Sequence, residues 1–325
     1  MWLLQPQLPG VALDFMTLYA SMSRRRFLQS IGLTALAGTS IFTHGSPAPG
    51  TLITRRIPSS AEKIPAIGLG SWLTFDVGFD LELRDERTEV MRNFFMAGGK
   101  LIDSSPMYGS SQDTIGYGLQ KLGMHDEVFS AEKVWVADDS DGPRQMERSR
   151  ELWGVPGFDL MQVHNILSWK EHLPTLFDMK TAGKIRYVGI TTSHGRRHAA
   201  FEKIMESQEI DFIQVTYNIQ EREVEERILP LARDKGIAVI INRPFDGGGL
   251  VHKLQKFPLP EWANEIGIAS WAQFLLKFII SHPSVTCAIP ATTRVDPVLE
   301  NMGACRGSLP DLELRKRMLG YVENL

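Results

Sequence analysis

The chain has 325 residues, 43% hydrophobic and 22% charged, and its 35 Lys and Arg against 38 Asp and Glu give a formal net charge of −3. That composition can bury a large core, and with no long basic run beyond the N-terminal arginines it excludes a nucleic-acid partner. Cys287 and Cys305 fall in apolar segments and read as buried inert thiols, a disulfide or catalytic role being the lesser alternative.

Taken in chain order, the first feature is a delivery segment. Residues 23–29 read SRRRFLQ and precede SIGLTALAGTSIF, then the polar tract HGSPAPG. The apolar run is shorter than the roughly 20 residues that cross a hydrocarbon core, so no stable membrane span is expected. A basic region, a short apolar region and a polar tract form the layout of a cleavable signal. The residue order resembles the twin-arginine export consensus, with Arg24 and Arg25 as the pair and Phe27-Leu28 after it. The plainer alternative is a basic N-terminal arm. Residues 1–48 are thus expected to be a signal for the twin-arginine translocation machinery, with Ser46-Pro47-Ala48 the best cleavage candidate. Met22 offers a second start, which would make residues 1–22 an over-called extension. The expected location is the periplasm or another exported one, the cytoplasm being the alternative.

Residues 49–325 alternate short apolar runs with segments of helical period. The expected strands are 64–70, 100–105, 127–133, 159–165, 185–192, 211–218, 237–244 and 285–292. Helices are expected over 86–97, stopped by Gly98-Gly99, and over 221–235, stopped by Gly236, because glycine relieves the left-handed residue that ends a helix. Residues 309–323 read as one further helix outside the repeat. Eight alternations, with strands apolar on both faces, predict one α/β domain, a (β/α)8 TIM barrel, which typically takes about 250 residues. An open doubly wound sheet would need a dinucleotide fingerprint, and Gly68-Leu69-Gly70 supplies only two of its glycines.

In such a barrel, chemistry sits where strands end and loops diverge. Strand two ends in Asp103 with Tyr108 in its loop, strand three in Lys133, strand four in His164. Singly, each has a structural reading: a helix cap, a loop aromatic, a solvated charge, a semi-buried imidazole. Together they form a proton-donor assembly. A phenol with a reference pKa of about 10 donates poorly near neutrality. An adjacent ammonium lowers that value, and Asp103 supplies the partner a buried lysine requires. His164 can hold a substrate oxygen beside the hydroxyl. His194 and His198 lie four apart, but Gly195 between them and the lack of a third ligand speak against a metal. Trp135 and Trp169 follow strands three and four, as substrate walls or as ordinary packing.

Residues 55–305 resemble the aldo-keto reductase family. The motifs, in order, are IGLGSW, LIDSSPMYGSSQDTIGYGL, FSAEKVW, FDLMQVHN, GKIRYVGITT, IQVTYNI and CAIPATTRVDPVLENMGA. The resemblance implies an NAD(P)H-dependent oxidoreductase reducing an aldehyde or ketone to an alcohol. Tyr108 would be the general acid/base, Lys133 would lower its pKa, Asp103 would pair with Lys133, and His164 would orient the carbonyl. Gln214 would meet the nicotinamide carboxamide, with Thr191 and Thr192 nearby and Ser71 and Trp72 against the cofactor. Thr292 lies in a small hydroxyl-rich turn opening a helix, suited to phosphate. Arg294 would suit a 2′-phosphate, favouring NADP(H) over NAD(H), with Glu300 and Asn301 at the adenine. Where many members stack a tyrosine on the nicotinamide, this chain has Arg243 and, two on, Phe245, followed by DGGGL, a clasp over the pyrophosphate or a plain flexible loop. The alternative within the family is a nucleotide-binding regulatory subunit with little turnover, as the potassium-channel β subunits are. A lyase or isomerase on the same barrel would need a metal or a Schiff-base lysine.

Overall fold

A computed structural model describes residues 50–137 and 139–325. The expected export segment, Arg24 and Arg25 included, lies outside the described residues. An antiparallel hairpin of β1 (Thr54–Arg56) and β2 (Lys63–Pro65) comes first. The sequence reading had assigned Ile64 and Pro65 to the first barrel strand. Pro65 cannot donate to an interior ladder, so the chain places it in a two-stranded edge and enters the barrel afterwards.

The barrel strands are β3 (Leu69–Gly70), β4 (Leu101–Asp103), β5 (Phe129–Val134), β6 (Phe158–Val163), β7 (Ile185–Thr191), β8 (Phe212–Thr216), β9 (Ala238–Asn242) and β10 (Cys287–Ala288). They pair parallel in chain order. Parallel bridges Ile67↔Ala288 and Gly70↔Ala291 join the last strand to the first and close the ring. A Cβ on Gly70 would stand 2.8 Å from the Ile289 carbonyl, so the seam closes only on glycine. Outside the strands lie α1 (Leu81–Met96), α2 (Ser111–Leu122), α3 (Gly142–Trp153), α4 (Trp169–Thr181), α5 (His198–Ser207), α6 (Ile228–Lys235), α7 (Gly249–Leu254), α8 (Trp271–Ile280), α9 (Val295–Gly303) and α10 (Leu312–Glu323).

Two helices depart from expectation. The helix expected over 221–235 splits into a 3-10 turn, Glu223–Glu225, and α6. Pro230 has no N–H and is tolerated only in a first turn, so α6 begins two residues before it and still stops at Gly236. The glycine run after β9 forms a 3-10 turn, Asp246–Gly248, leading into α7.

Strand parity sorts the side chains into two layers. Leu101, Phe129, Ala131, Leu160, Phe212, Ala238 and Ile240 point inward as an apolar floor, closed below by Ile57 and Ile64 of the hairpin. Alternate residues, among them Ile102, Val134, Met161 and Ile213, point outward into the core under the helices. Both cysteines are buried and unpaired. Among the described residues no helix is long and apolar enough to cross a membrane.

Candidate active site

Stepping two residues from each floor position reaches the next inward layer, and there the sequence turns polar. Asp103 follows Leu101, Lys133 follows Ala131, Gln162 follows Leu160, Gln214 follows Phe212 and Asn242 follows Ile240. Lys133 Nζ donates to Asp103 Oδ2 at 2.7 Å and to the Ser104 carbonyl, while the lysine itself is fully buried. Asp103 Oδ1 accepts from Gln214 Nε2 at 2.7 Å and from Gln162 Nε2 at 3.4 Å. The carboxylate is thus fixed by donors from three strands of the wall, β5, β6 and β8. Burying such a pair is tolerable only with its remaining lone pairs satisfied, which is the arrangement found.

Above this layer opens a cavity of about 430 Å³, whose wall includes Asp103, Tyr108, His164 and Gln214. Lys133 Nζ lies 5.1 Å from the centre of the Tyr108 ring. The Tyr108 and His164 rings meet edge to face at 5.8 Å. His164 Nδ1 pairs with Ser105 Oγ at 2.8 Å, which leaves Nε2 as its other polar atom. The four side chains expected to converge therefore do so. Sequence reasoning did not single out Ser105, although it sits two residues past Asp103 on the same loop.

The electrostatics correct one expectation. Lys133 was expected to lower the Tyr108 pKa. It does pull the value down, but burial of the phenol outweighs it, with Asp103 and Glu132 adding to the rise, and the value is pushed up to about 12. His164 is driven down to about 3 by burial and then by Lys133, so its imidazole is neutral. For Lys133, burial opposes the charge but Asp103, Tyr108 and Glu132 together outweigh it, and the ammonium is held above its ordinary range. Glu132, on the outward face of β5, is fully buried. Burial raises its carboxyl to about 7 although Gln112, Trp153 and the Lys133 N–H all donate to it.

The residues expected to hold a cofactor divide. Trp72, Thr191, Thr192, Gln214 and Arg243 stand on the cavity wall. Ser71 reaches the wall too, but its hydroxyl is committed to the Asp103 carbonyl and Ser104 Oγ, both at 2.9 Å. Arg243, in a left-handed backbone (φ 49°), pairs with Asp246, and its Nε is buried without a partner. Phe245 also lines the cavity, and Gly247 and Gly248 face open space. A wall with an orphaned guanidinium nitrogen and a bare backbone is suited to an anionic ligand approaching closely. Thr292, Arg294, Glu300 and Asn301 lie past Ala291, outside the cavity. Thr292 Oγ1 accepts from the Arg294 N–H at 3.2 Å, and the Arg294 side chain is exposed.

One guanidinium ties this rim together. Arg87 of α1 donates to the Thr74 carbonyl at 2.7 Å, in the loop after β3, and to the Thr293 carbonyl at 3.0 Å, in the loop after β10. Of the two tryptophans, Trp135 is exposed with its ring 6.4 Å from that of His164, whereas Trp169 packs against the core. His198 lies 3.8 Å from Glu223, and among the described residues no group of three or more metal-ligating side chains is placed to hold a metal ion.

The sequence pattern of the Aldo/keto reductase family matches residues 66–316. Methylglyoxal reductase YeaE of Escherichia coli is 26% identical over 259 residues, which span 77% of this chain and 89% of that protein. The NADH-specific methylglyoxal reductase of the same organism is 27% identical over 216 residues, 56% of this chain and 63% of its own. An aldo-keto reductase from Klebsiella pneumoniae, solved in complex with NADPH, superposes with a TM-score of 0.71 at 25% identity. The superposition covers 84% of this chain and 95% of that one.

Proposed function

The chain belongs to the Aldo/keto reductase family, an NAD(P)H-dependent oxidoreductase reducing an aldehyde or ketone to an alcohol, and from that premise we propose how its own residues divide the work. The nicotinamide, when bound, supplies the hydride. Tyr108 donates the proton to the carbonyl oxygen as charge builds there. Its phenol, raised to about 12, keeps its proton near neutrality but is a weak acid, so donation depends on the cation beside it. Lys133 stabilises the phenolate left behind, and Asp103 keeps the lysine charged and aimed. Ser105 can donate its hydroxyl proton to His164 Nδ1, which leaves Nε2–H to hold the same carbonyl oxygen. The convergence of these groups on one cavity carries the reading.

Gln214, Thr191 and Thr192 would hold the nicotinamide, with Arg243 or Phe245 against its ring. Gly247 and Gly248 would admit the pyrophosphate. Thr292, Glu300 and Asn301 would take the adenosine end, with Arg294 on a 2′-phosphate. The exposed Arg294 side chain, and NADPH in the Klebsiella enzyme, support NADPH over NADH. The NADH-specific relative marks the opposite choice. The test is absorbance loss at the nicotinamide band with each cofactor against a panel of aldehydes and ketones. A protein that binds nucleotide tightly and turns over none of them is the regulatory subunit instead.

Delivery is a separate proposal, supported by the order of residues 23–29 and the short apolar run after them. The twin-arginine machinery exports the chain to the periplasm, with Arg24 and Arg25 as its address and residues 1–48 as the signal region. Replacing both arginines with Lys should leave active reductase in the cytoplasm and empty the periplasmic fraction. Unchanged periplasmic protein would overturn the assignment.

A further inference from the structure

The charges on the cavity wall do not balance. Asp103 is neutralised by Lys133 and Arg243 by Asp246. His164 is neutral. Arg196 also lines the cavity, from the loop between β7 and α5, and among the described residues no carboxylate lies within ion-pair distance of its guanidinium. Burial, Arg243 and Arg196 lower the neighbouring His194, with Glu221 and Asp246 acting against them. This side of the mouth therefore presents one guanidinium without an ion-pair partner.

The side chain of Arg196 is exposed, and the backbone that carries it is held in place. Its carbonyl accepts from Thr192 Oγ1 at 2.7 Å, and the His194 N–H donates to Thr216 Oγ1 at 3.0 Å. His194, Gly195 and Arg197 all take left-handed backbone, so the loop makes a tight, unusual turn around Arg196. Arg197 spends its guanidinium on the Asn165 carbonyl, and the Asn165 N–H donates to Thr191 Oγ1 at 2.9 Å. These bonds lash the Arg196 loop to the loop that begins at His164. The free charge is thus carried beside the proposed carbonyl-holding residue, two strands from Arg243 and the glycines assigned to the pyrophosphate.

We propose that Arg196 is an anion subsite of the cavity and that the carbonyl substrate carries a carboxylate or phosphate group, held by Arg196 while the carbonyl lies between Tyr108 and His164. This rests on the reductase reading above. A guanidinium matches either anion with paired N–H donors. Trp72, Met107 and Trp135 contribute exposed apolar surface at the same mouth, so an aromatic acid is a fitting probe.

Two pairs of compounds test it, each an acid and its uncharged methyl ester: para-carboxybenzaldehyde with its ester, and succinic semialdehyde with its ester. At least one acid should be reduced with a kcat/KM about tenfold above its ester, the scale of one charge-assisted hydrogen bond. Arg196→Gln should bring that ratio close to one, Arg196→Lys should keep part of it, and NADPH affinity measured by fluorescence titration should move less than about twofold. Equal rates for acid and ester in both pairs would overturn the subsite and leave the reductase standing. Weaker NADPH binding in Arg196→Gln, with both members of a pair slowed alike, would assign the guanidinium to a cofactor phosphate and overturn the proposal. Failure to oxidise NADPH with all four compounds while other aldehydes or ketones are reduced would overturn the subsite, and failure with the whole panel would remove the reductase reading as well.

Discussion

The half of the mouth built on β4, β5 and β6 and the half built on β9 and β10 serve one cavity with opposite degrees of preparation. On the first, the charged and hydroxyl groups are already engaged: Lys133 on Asp103, Ser105 on His164 and Gln162 Nε2 on the same carboxylate, with Gln162 Oε1 the one buried side-chain atom there left without a partner among the described residues. On the second, Arg243 keeps an unpartnered Nε, Gly247 and Gly248 face open space, and Arg294 is exposed. The contrast fits the roles proposed for the two halves. Charge develops within a bond length during proton transfer, and groups fixed beforehand need no reorganisation at that moment. A large anionic ligand brings its own hydrogen-bonding capacity, and a wall left incomplete gains affinity from it.

If that division is right, substitutions on the prepared half should cost rate and those on the unprepared half should cost binding. The largest effect is expected from Tyr108→Phe, which should lower kcat by about 10²–10⁴ with NADPH affinity nearly unchanged, as single-turnover and titration measurements would show. Full turnover in that variant would break the comparison at its centre. The pH profile sharpens it: turnover in the reductive direction should hold through the neutral range and decline only toward about 12, because the phenol stays protonated until then. An alkaline loss near neutrality would mean that bound cofactor has already reversed the balance between burial and Lys133.

Glu132 gives an intermediate effect, read as stability. Its folded pKa of about 7 exceeds the reference value of 4.5, so the folded protein binds this proton more tightly than the unfolded chain does. Stability contributed by the protonated carboxyl is present below the unfolded value and lost as pH rises through the folded one. Between those limits wild type should lose on the order of 1–3 kcal/mol relative to Glu132→Gln, seen by denaturant unfolding at several pH values. Parallel curves for the two proteins would show that the outward face of β5 does not titrate there. The smallest effect is assigned to the unprepared half. Arg294→Ala should weaken NADPH by about tenfold or less and leave NADH almost unchanged in titrations of both, since an exposed charge pair is heavily screened. Equal weakening of both would make Arg294 a support for its loop.

The same division explains what the sequence disclosed. Period two places Asp103, Lys133 and Gln214 on the inward face once the apolar floor is recognised, and a barrel puts their strands side by side. The convergence of these side chains was therefore legible from the strand ends and the loop after β4. Three things were not. The sign of the Tyr108 shift depends on how far burial competes with Lys133, a three-dimensional sum that no spacing encodes. The hairpin took Ile64-Pro65 because of where Pro65 had to sit. The left-handed turn that brings Arg196 onto the cavity wall has no local signal, since His194 and Arg197 are ordinary residues in conformations the rest of the fold imposes.

Arg87, which holds the Thr74 and Thr293 carbonyls with one guanidinium, has a thermodynamic consequence. Its two acceptors belong to loops on either side of the seam where the ring closes, one bordering the cavity and the other leading to the segment proposed for the far end of the dinucleotide. A ligand that repositions either loop must stretch or re-form a bond to the same side chain, so the two ligands draw on a shared free energy. Linkage then requires reciprocity: whatever factor bound nucleotide applies to the affinity for carbonyl compound, the carbonyl compound returns to the nucleotide. A protein lacking that guanidinium should lose this share of the coupling and keep whatever part comes from contact between the two ligands.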